Sequence, residues 1–324
     1  MEETSIKIFT GTASVNFANK MCKYLGTEVG QSQTITFSEG NIFVKILEKV
    51  RDKDVYIVQT IGLDPNNDFM ELLFLIDAFK RASASSVTAI IPYFSYAKGD
   101  KKDEPRVSIR ARVCADCLEV TGVDRIITMD LHSPQIQGFF KKPVDHLYGM
   151  STLCKYIQSK QIEDLVVVSP DAGFAKNARN YANLLKAPVA IGDKTRLCHD
   201  EQAKVLEIIG DVNDRNAVIV DDFTITCGTL IDTARMLKKH GAKKIYACVS
   251  HALLDDKGLK ALEESVIEEL IITDTVENPK AFHHPKVTVV SVARLFADAV
   301  RIIHNKDSLS HLFDDLNNCF DKDS

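Results

Sequence analysis

The chain has 324 residues, 45% of them hydrophobic and 26% charged, which is a globular composition and sets a prior of about two domains. Forty basic against 45 acidic residues give a net charge of −5, which argues against a generic nucleic-acid surface. No apolar run approaches the ~20 residues that a membrane-spanning helix needs, so neither a nucleic-acid nor a membrane role is expected.

The opening MEETSIKIFTG carries an acidic pair where a secretory leader would be basic, so a cytoplasmic location is expected. From VYIVQT (55–60) onward, short apolar runs alternate with segments of helical period. In the first half these are helix 67–84, strand SVTAIIPYF (86–94), helix 108–122 and strand RIITMDL (125–131). The second half continues with helix STLCKYIQSK, strand LVVVSPD, helix AKNARNYANLLK, strand PVAIG, then KVLEIIG and AVIVDDF. After these come helix TLIDTARMLKKHG, KIYACVSHALL, helix LKALEESVIEEL (259–270), strands IITDTV and VTVVSVA, and helix RLFADAVRIIHN. Such alternation predicts an α/β protein with largely parallel sheets flanked by helices. The length divides best into domains at 1–148 and 149–313, with a polar tail at 314–324. The eight cysteines are scattered; only Cys114 and Cys117 form C-x-x-C, on a predicted helix and with no second pair, so free thiols are expected.

In open parallel sheets ligands bind beyond the carboxyl ends of the strands, and the chemistry-bearing residues cluster there. The strand Ala217–Val220 ends in Asp221 and Asp222, two carboxylates suited to binding hydroxyls or a metal. The following Thr226-Cys227-Gly228-Thr229 opens a helix, offering backbone amides and the positive dipole end to a phosphate. Asp130 and His132 lie on one side of an extended segment, spaced for joint contact with a cation, although a lone D-x-H is as readily a structural hydrogen bond. Asp171 and Gly173 fall between a strand and a helix. Lys98, Lys101, Lys102 and Arg106 fill one loop, with Lys194 and Arg196 further on. Charge runs are commonly solvated faces, but these follow strands, where a polyphosphate would sit. Neither a phosphate loop of the Walker type nor G-x-G-x-x-G is present.

The segment Asp221–Thr229 resembles the phosphoribosyl-binding loop of type I phosphoribosyltransferase folds. IITMDLHSPQIQGFF followed by PVDHL, together with VSPDAG, DVYIVQ, ASASSVTAIIPYFSYA, DKKD and HNKDSLSHLF, is similar to the ribose-phosphate pyrophosphokinase family over about residues 5–313. The resemblance implies two similar α/β domains of the type I phosphoribosyltransferase kind and hexamers built from dimers. It implies transfer of the diphosphoryl group of ATP to the anomeric hydroxyl of ribose 5-phosphate, with Mg2+ required and stimulation by inorganic phosphate.

By the same resemblance Asp221 and Asp222 hold ribose hydroxyls, and Thr226, Cys227, Gly228 and Thr229 cradle the 5-phosphate. Asp130, His132, Asp145 and Asp171 belong to the metal sites, and His132, Lys194 and Arg196 to catalysis. Phe37, Glu39, Asn41, Lys98 and Asp100 are expected at ATP. The chain departs from the family pattern at Ile225 (usually Asp), Phe174 (usually Gly), Lys98 and Gly99 (usually Arg-Gln), at Glu39 and Asn41 in the adenine segment, and at Lys141 (usually acidic). These departures leave a second reading open, a weakly active or inactive homologue that regulates an active synthetase in a mixed oligomer with a paralogue. A phosphoribosyltransferase is a third reading, but such an enzyme needs only one such domain and leaves the 150-residue first half unexplained.

Overall fold

A computed structural model describes residues 6–196 and 204–313. The first strand, β1 (Ile6–Thr10), runs into a short 3-10 turn and helix α1 (Val15–Leu25). A hairpin of β2 (Ser32–Thr36) and β3 (Ile42–Ile46) follows; it forms its own two-stranded antiparallel sheet. Next come β4 (Asp54–Val58), α2 (Pro65–Arg81), β5 (Ser86–Ile91), α3 (Arg110–Thr121), β6 (Arg125–Met129) and β7 (Val144–Leu147). The parallel sheet has the order β1-β4-β5-β6-β7. Its central strands are apolar on both faces because helices cover both, and Val55, Ile57, Val87 and Ile127 are fully buried.

The second half starts with α4 (Met150–Ser159), β8 (Leu165–Ser169), α5 (Ala175–Leu185), β9 (Val189–Arg196) and β10 (Lys204–Ile209). It continues through β11 (Asn216–Thr224), α6 (Gly228–Lys239), β12 (Ile245–Ala252), α7 (Asp256–Glu263), β13 (Glu269–Thr273), the one-turn α8 (Pro279–Phe282) and β14 (Val287–Val290). The sheet order is β10-β9-β8-β11-β12-β13-β14, parallel except for β10, which pairs antiparallel with β9. From β8 the chain goes first to β9 on one side and then to β11 on the other. The crevice between the ends of β8 and β11 is therefore a topological switch point, where loops diverge and leave room for a ligand.

Two compact units result, one of residues 1–148, 275–277 and 292–312, the other of the remainder. The last helix, α9 (Ala293–His304), belongs to the first unit, whereas the sequence groups it with residues 149–313. Its apolar stripe packs on α1, with Phe296 edge-on to Phe17 at 5.3 Å. Arg301 donates to the Tyr24 carbonyl at 2.7 Å. Glu277 caps α1 from 260 residues away: its carboxylate accepts the Phe17 amide at 2.7 Å and the Asn16 side-chain amide at 2.8 Å. A second departure concerns the helix expected over 259–270. It stops at Glu263, and Glu269–Thr273 becomes a strand because it pairs with β12 on one side and β14 on the other. The six cysteines described, Cys114 and Cys117 among them, are free thiols, and all but Cys117 are buried.

Candidate active site

The end of β11 carries the densest chemistry. Asp221 and Asp222 are half-buried at the carboxyl end of the strand, and the Asp222 amide donates to Asp221 Oδ1 at 3.0 Å. Burial, then the neighbouring Asp222 charge, push the Asp221 carboxyl up to about 8; Asp171, across the crevice at the end of β8, pushes in the same direction. Three carboxylates thus converge on the switch point. Acids placed there suit a set of hydroxyl donors, or a cation whose shell is completed by other ligands.

The loop after Asp222 turns sharply into α6. Cys227 has a positive φ of 57°, which aims the chain so that the first turn of α6 faces outward. No side chain caps this helix, and the amides of its first turn lie outside the i→i−4 ladder. Thr226 and Gly228 are exposed, and Thr229 is half-exposed. Cys227 is not: its side chain is fully buried in the core, and its amide donates to Thr224 Oγ1 at 3.2 Å. Burial pushes its thiol up to about 11. Cys227 therefore shapes the loop from behind, with its side chain turned away from the exposed face of the loop. Ile225 is 41% exposed and serves the loop through its carbonyl, which accepts the Asp255 amide at 3.3 Å.

The back of the loop is built by residues that sequence reasoning passed over. Asp255 caps α7 by accepting the Gly258 amide at 2.6 Å. Gly258 lies so close to the loop that a Cβ there would stand 2.8 Å from the Ile225 carbonyl oxygen and 3.0 Å from Thr226 Cα. Their sequence signal was the D-x-x-G at a helix start, legible as a cap but silent about which loop it would meet.

Asp171 holds its own turn: Oδ1 accepts the Phe174 amide at 3.2 Å, and Ser169 Oγ donates to its carbonyl at 2.6 Å. Phe174 sits at φ −94°, a conformation open to any residue, so the change from glycine leaves this turn's backbone unstrained. Lys194 and Arg196 lie in the backbone of β9, but their side chains, and residues 197–203, fall outside the described part of the chain.

In the first unit, β5 and β6 are neighbours and their loops emerge at the same end of the sheet. Asp130 follows β6 with a positive φ of 40°, and His132 is exposed two residues on. Between them the Leu131 amide donates to Nε2 of buried His146 at 2.9 Å, which fixes the loop. Asp145 is engaged elsewhere, in an ion pair with Arg125 at 2.6 Å, on β7 in register with Ile127 and hence three residues short of Asp130. After β5, the Lys98 ammonium lies 6.0 Å above the Tyr93 ring, and Asp100 is half-exposed. Gly99 is packed: a Cβ there would meet Arg110 Nε at 2.5 Å, so the Arg110 side chain already occupies that space. Lys141, at the position the family pattern makes acidic, donates its amide to Glu119. Phe37, Glu39 and Asn41 form the exposed turn of the β2–β3 hairpin, closed by the Phe37 amide on the Asn41 carbonyl at 2.8 Å.

A family model for the N-terminal domain of ribose phosphate pyrophosphokinase matches residues 6–122, and one for the phosphoribosyl synthetase-associated domain matches 197–314. A ribose-phosphate pyrophosphokinase of Caldanaerobacter subterraneus subsp. tengcongensis is 46% identical over 95% of this chain and 98% of its own length. The one from Clostridium perfringens is 44% identical over 96% and 98%. The chain belongs to the ribose-phosphate pyrophosphokinase family. The crystal structure of phosphoribosylpyrophosphate synthetase from Mycobacterium smegmatis superposes with a TM-score of 0.88 at 36% identity, covering 94% of this chain and all of that one. The fold class read from the sequence, two largely parallel α/β sheets, agrees with that likeness.

The family implies a metal cofactor. Among the described residues no group of three or more His, Cys, Asp or Glu is placed to hold a metal ion by itself. A hard cation such as Mg2+ needs none, since it takes one or two carboxylates and completes its shell with water and substrate phosphate. The oxygen-rich ends of β8 and β11 fit that requirement, as does the Asp130–His132 loop.

Proposed function

We propose that this chain is a ribose-phosphate diphosphokinase, which transfers the β,γ-diphosphoryl group of ATP to the C1 hydroxyl of ribose 5-phosphate. The C1 oxygen forms a bond to Pβ and loses its proton, the bridge from Pα to Pβ breaks, and AMP leaves with the bridging oxygen. The observation that carries this reading is near-full-length identity of 46% to a ribose-phosphate pyrophosphokinase, joined to an acidic pair and an uncapped helix start at one switch point.

In this reading Asp221 and Asp222 accept hydrogen bonds from the ribose hydroxyls. Thr226, Gly228 and Thr229 offer hydroxyls and first-turn amides to the 5-phosphate. Asp130 and His132 would hold Mg2+ or the ATP phosphates, and Asp171 would take part in a second metal site; Phe37, Glu39, Asn41, Lys98 and Asp100 meet the rest of ATP. Bound Mg2+ neutralises phosphate charge and draws electron density from the transferring group. Lys194 and Arg196 neutralise charge developing on the same group, the main protein contribution in phosphoryl transfer. The described free cysteines accord with a cytoplasmic protein, and the family resemblance with a homo-oligomer. No helix of the described chain is long and apolar enough to cross a membrane.

The test is AMP formation by the purified chain with ATP, ribose 5-phosphate, Mg2+ and inorganic phosphate. Ribose-dependent AMP release at roughly 1–10³ per second supports the reading. No release from a folded sample overturns it and favours a regulatory homologue.

A further inference from the structure

Glu71, on the inner face of α2, is 2% exposed and has no ion pair among the described residues, yet its carboxylate is surrounded by donors. Oε1 accepts the Thr34 hydroxyl at 2.7 Å, and Oε2 accepts the Thr12 hydroxyl at 2.6 Å and the Gln59 side-chain amide at 2.8 Å. The Thr12 backbone amide reaches both oxygens at 3.1 Å. These donors come from three places: the turn after β1, the end of β4, and strand β2 of the hairpin. Burying a carboxylate is costly unless such bonds offset its lost hydration. Gln59 is itself locked, since its Oε1 accepts the Ala13 amide at 3.2 Å and Gly11 leaves no room for a side chain beside it. The hub is thus a rigid body from which one arm, Thr34, reaches out to the hairpin.

That arm is placed where it governs the turn. Thr34 stands opposite Val44 in the hairpin register, on the face toward α2, and three residues before Phe37. The open end of the hairpin is tied separately, by the Gln31 amide to Glu48 at 2.6 Å. Apolar contact by Val44 and Ile46 presses the hairpin onto the core but tolerates sliding. A directional hydrogen bond to a fixed buried carboxylate does not.

We propose that Glu71 is a positioning residue for ATP binding: through Thr34 it sets the register of the β2–β3 hairpin and so the place of Phe37, Glu39 and Asn41. The inference rests on the reading of that turn as an ATP contact. The test is steady-state kinetics of Thr34→Val, Thr34→Ser and Phe37→Ala, with hydrogen exchange over residues 32–46. Thr34→Val is isosteric and leaves Glu71 its Thr12 and Gln59 donors. It is expected to raise KM for ATP about tenfold, the worth of one hydrogen bond to a charged group. kcat and KM for ribose 5-phosphate are expected to stay within about twofold, exchange in the hairpin to quicken, and Thr34→Ser to restore KM.

An unchanged KM for ATP in Thr34→Val, while Phe37→Ala raises it, overturns the positioning role and leaves the ATP reading intact. A raised KM in Thr34→Val with none in Phe37→Ala keeps the positioning role and removes Phe37 from the site. No change in either overturns both. If Thr34→Val does not fold, Glu71→Gln carries the same expectation.

Discussion

Asp221 and Asp222 are adjacent in sequence, and burial, together with the Asp222 and Asp171 charges, pushes the Asp221 carboxyl up to about 8. Asp221→Asn and Asp222→Asn remove an ionisable carboxyl without changing size. Each is expected to lower kcat/KM for ribose 5-phosphate by about 10- to 100-fold, the worth of hydrogen bonds to a charged group, with Tm nearly unchanged. A different acid reports on stability. Burial pushes the Asp68 carboxyl up to about 6, although it accepts the Gly62 amide at 2.9 Å. Because the folded state holds this proton to higher pH than the unfolded chain, stability falls as pH rises from about 4 through 6 and is then level. Asp68→Asn keeps the acceptor and avoids the charge. It is expected to stabilise the fold by about 1–3 kcal/mol at pH 8 and by nearly nothing at pH 4, read from denaturant midpoints at both values. The site residues that sequence made legible are those whose neighbours in the chain are also their neighbours in the site, such as the Asp221–Thr229 run. The inward side chain of Cys227 was not legible, because its position in the motif says nothing of the positive φ that the residue adopts.

At the scale of elements, α7 is the support behind the loop between β11 and α6, and Gly258 is where the two touch. Gly258→Ala would drive a methyl group against the Ile225 carbonyl. It is expected to raise KM for ribose 5-phosphate by about tenfold and to cost about 1–3 kcal/mol of stability, with KM for ATP unchanged. Kinetics with each substrate varied in turn check this. No distance along the chain announces that contact, because Gly258 meets residues more than 30 positions earlier. Most strands were legible because helices bury both their faces, and a short run such as AVIV (217–220) has no polar period to confuse with a helix. The β2–β3 hairpin was not read as an element: SQTIT is largely polar, and its inward Thr34 faces a carboxylate instead of an apolar core. The end of LKALEESVIEEL was misread as helix because its period continues, while sheet pairing, invisible locally, claims Glu269 onward.

For the molecule as a whole, the important fact is that the first unit closes with the last helix. Phe296 is fully buried against Phe17, so Phe296→Ala is expected to cost about 3–5 kcal/mol, measured by denaturant unfolding. A fragment ending at residue 148 lacks both α9 and the Glu277 cap of α1. It is expected to be poorly soluble on expression, and co-expression of residues 275–312 to improve its yield. The same arrangement governs the order of events during synthesis. The partners of α1 lie some 260–280 residues downstream, so the amino-terminal unit cannot complete its core as it leaves the ribosome and must wait for the chain to be nearly finished. The second unit also waits, since its last strand β14 is made at residues 287–290, just ahead of α9. Neither core can therefore close until translation is nearly over, and the first-made half carries the apolar face of α1 uncovered for the longest time.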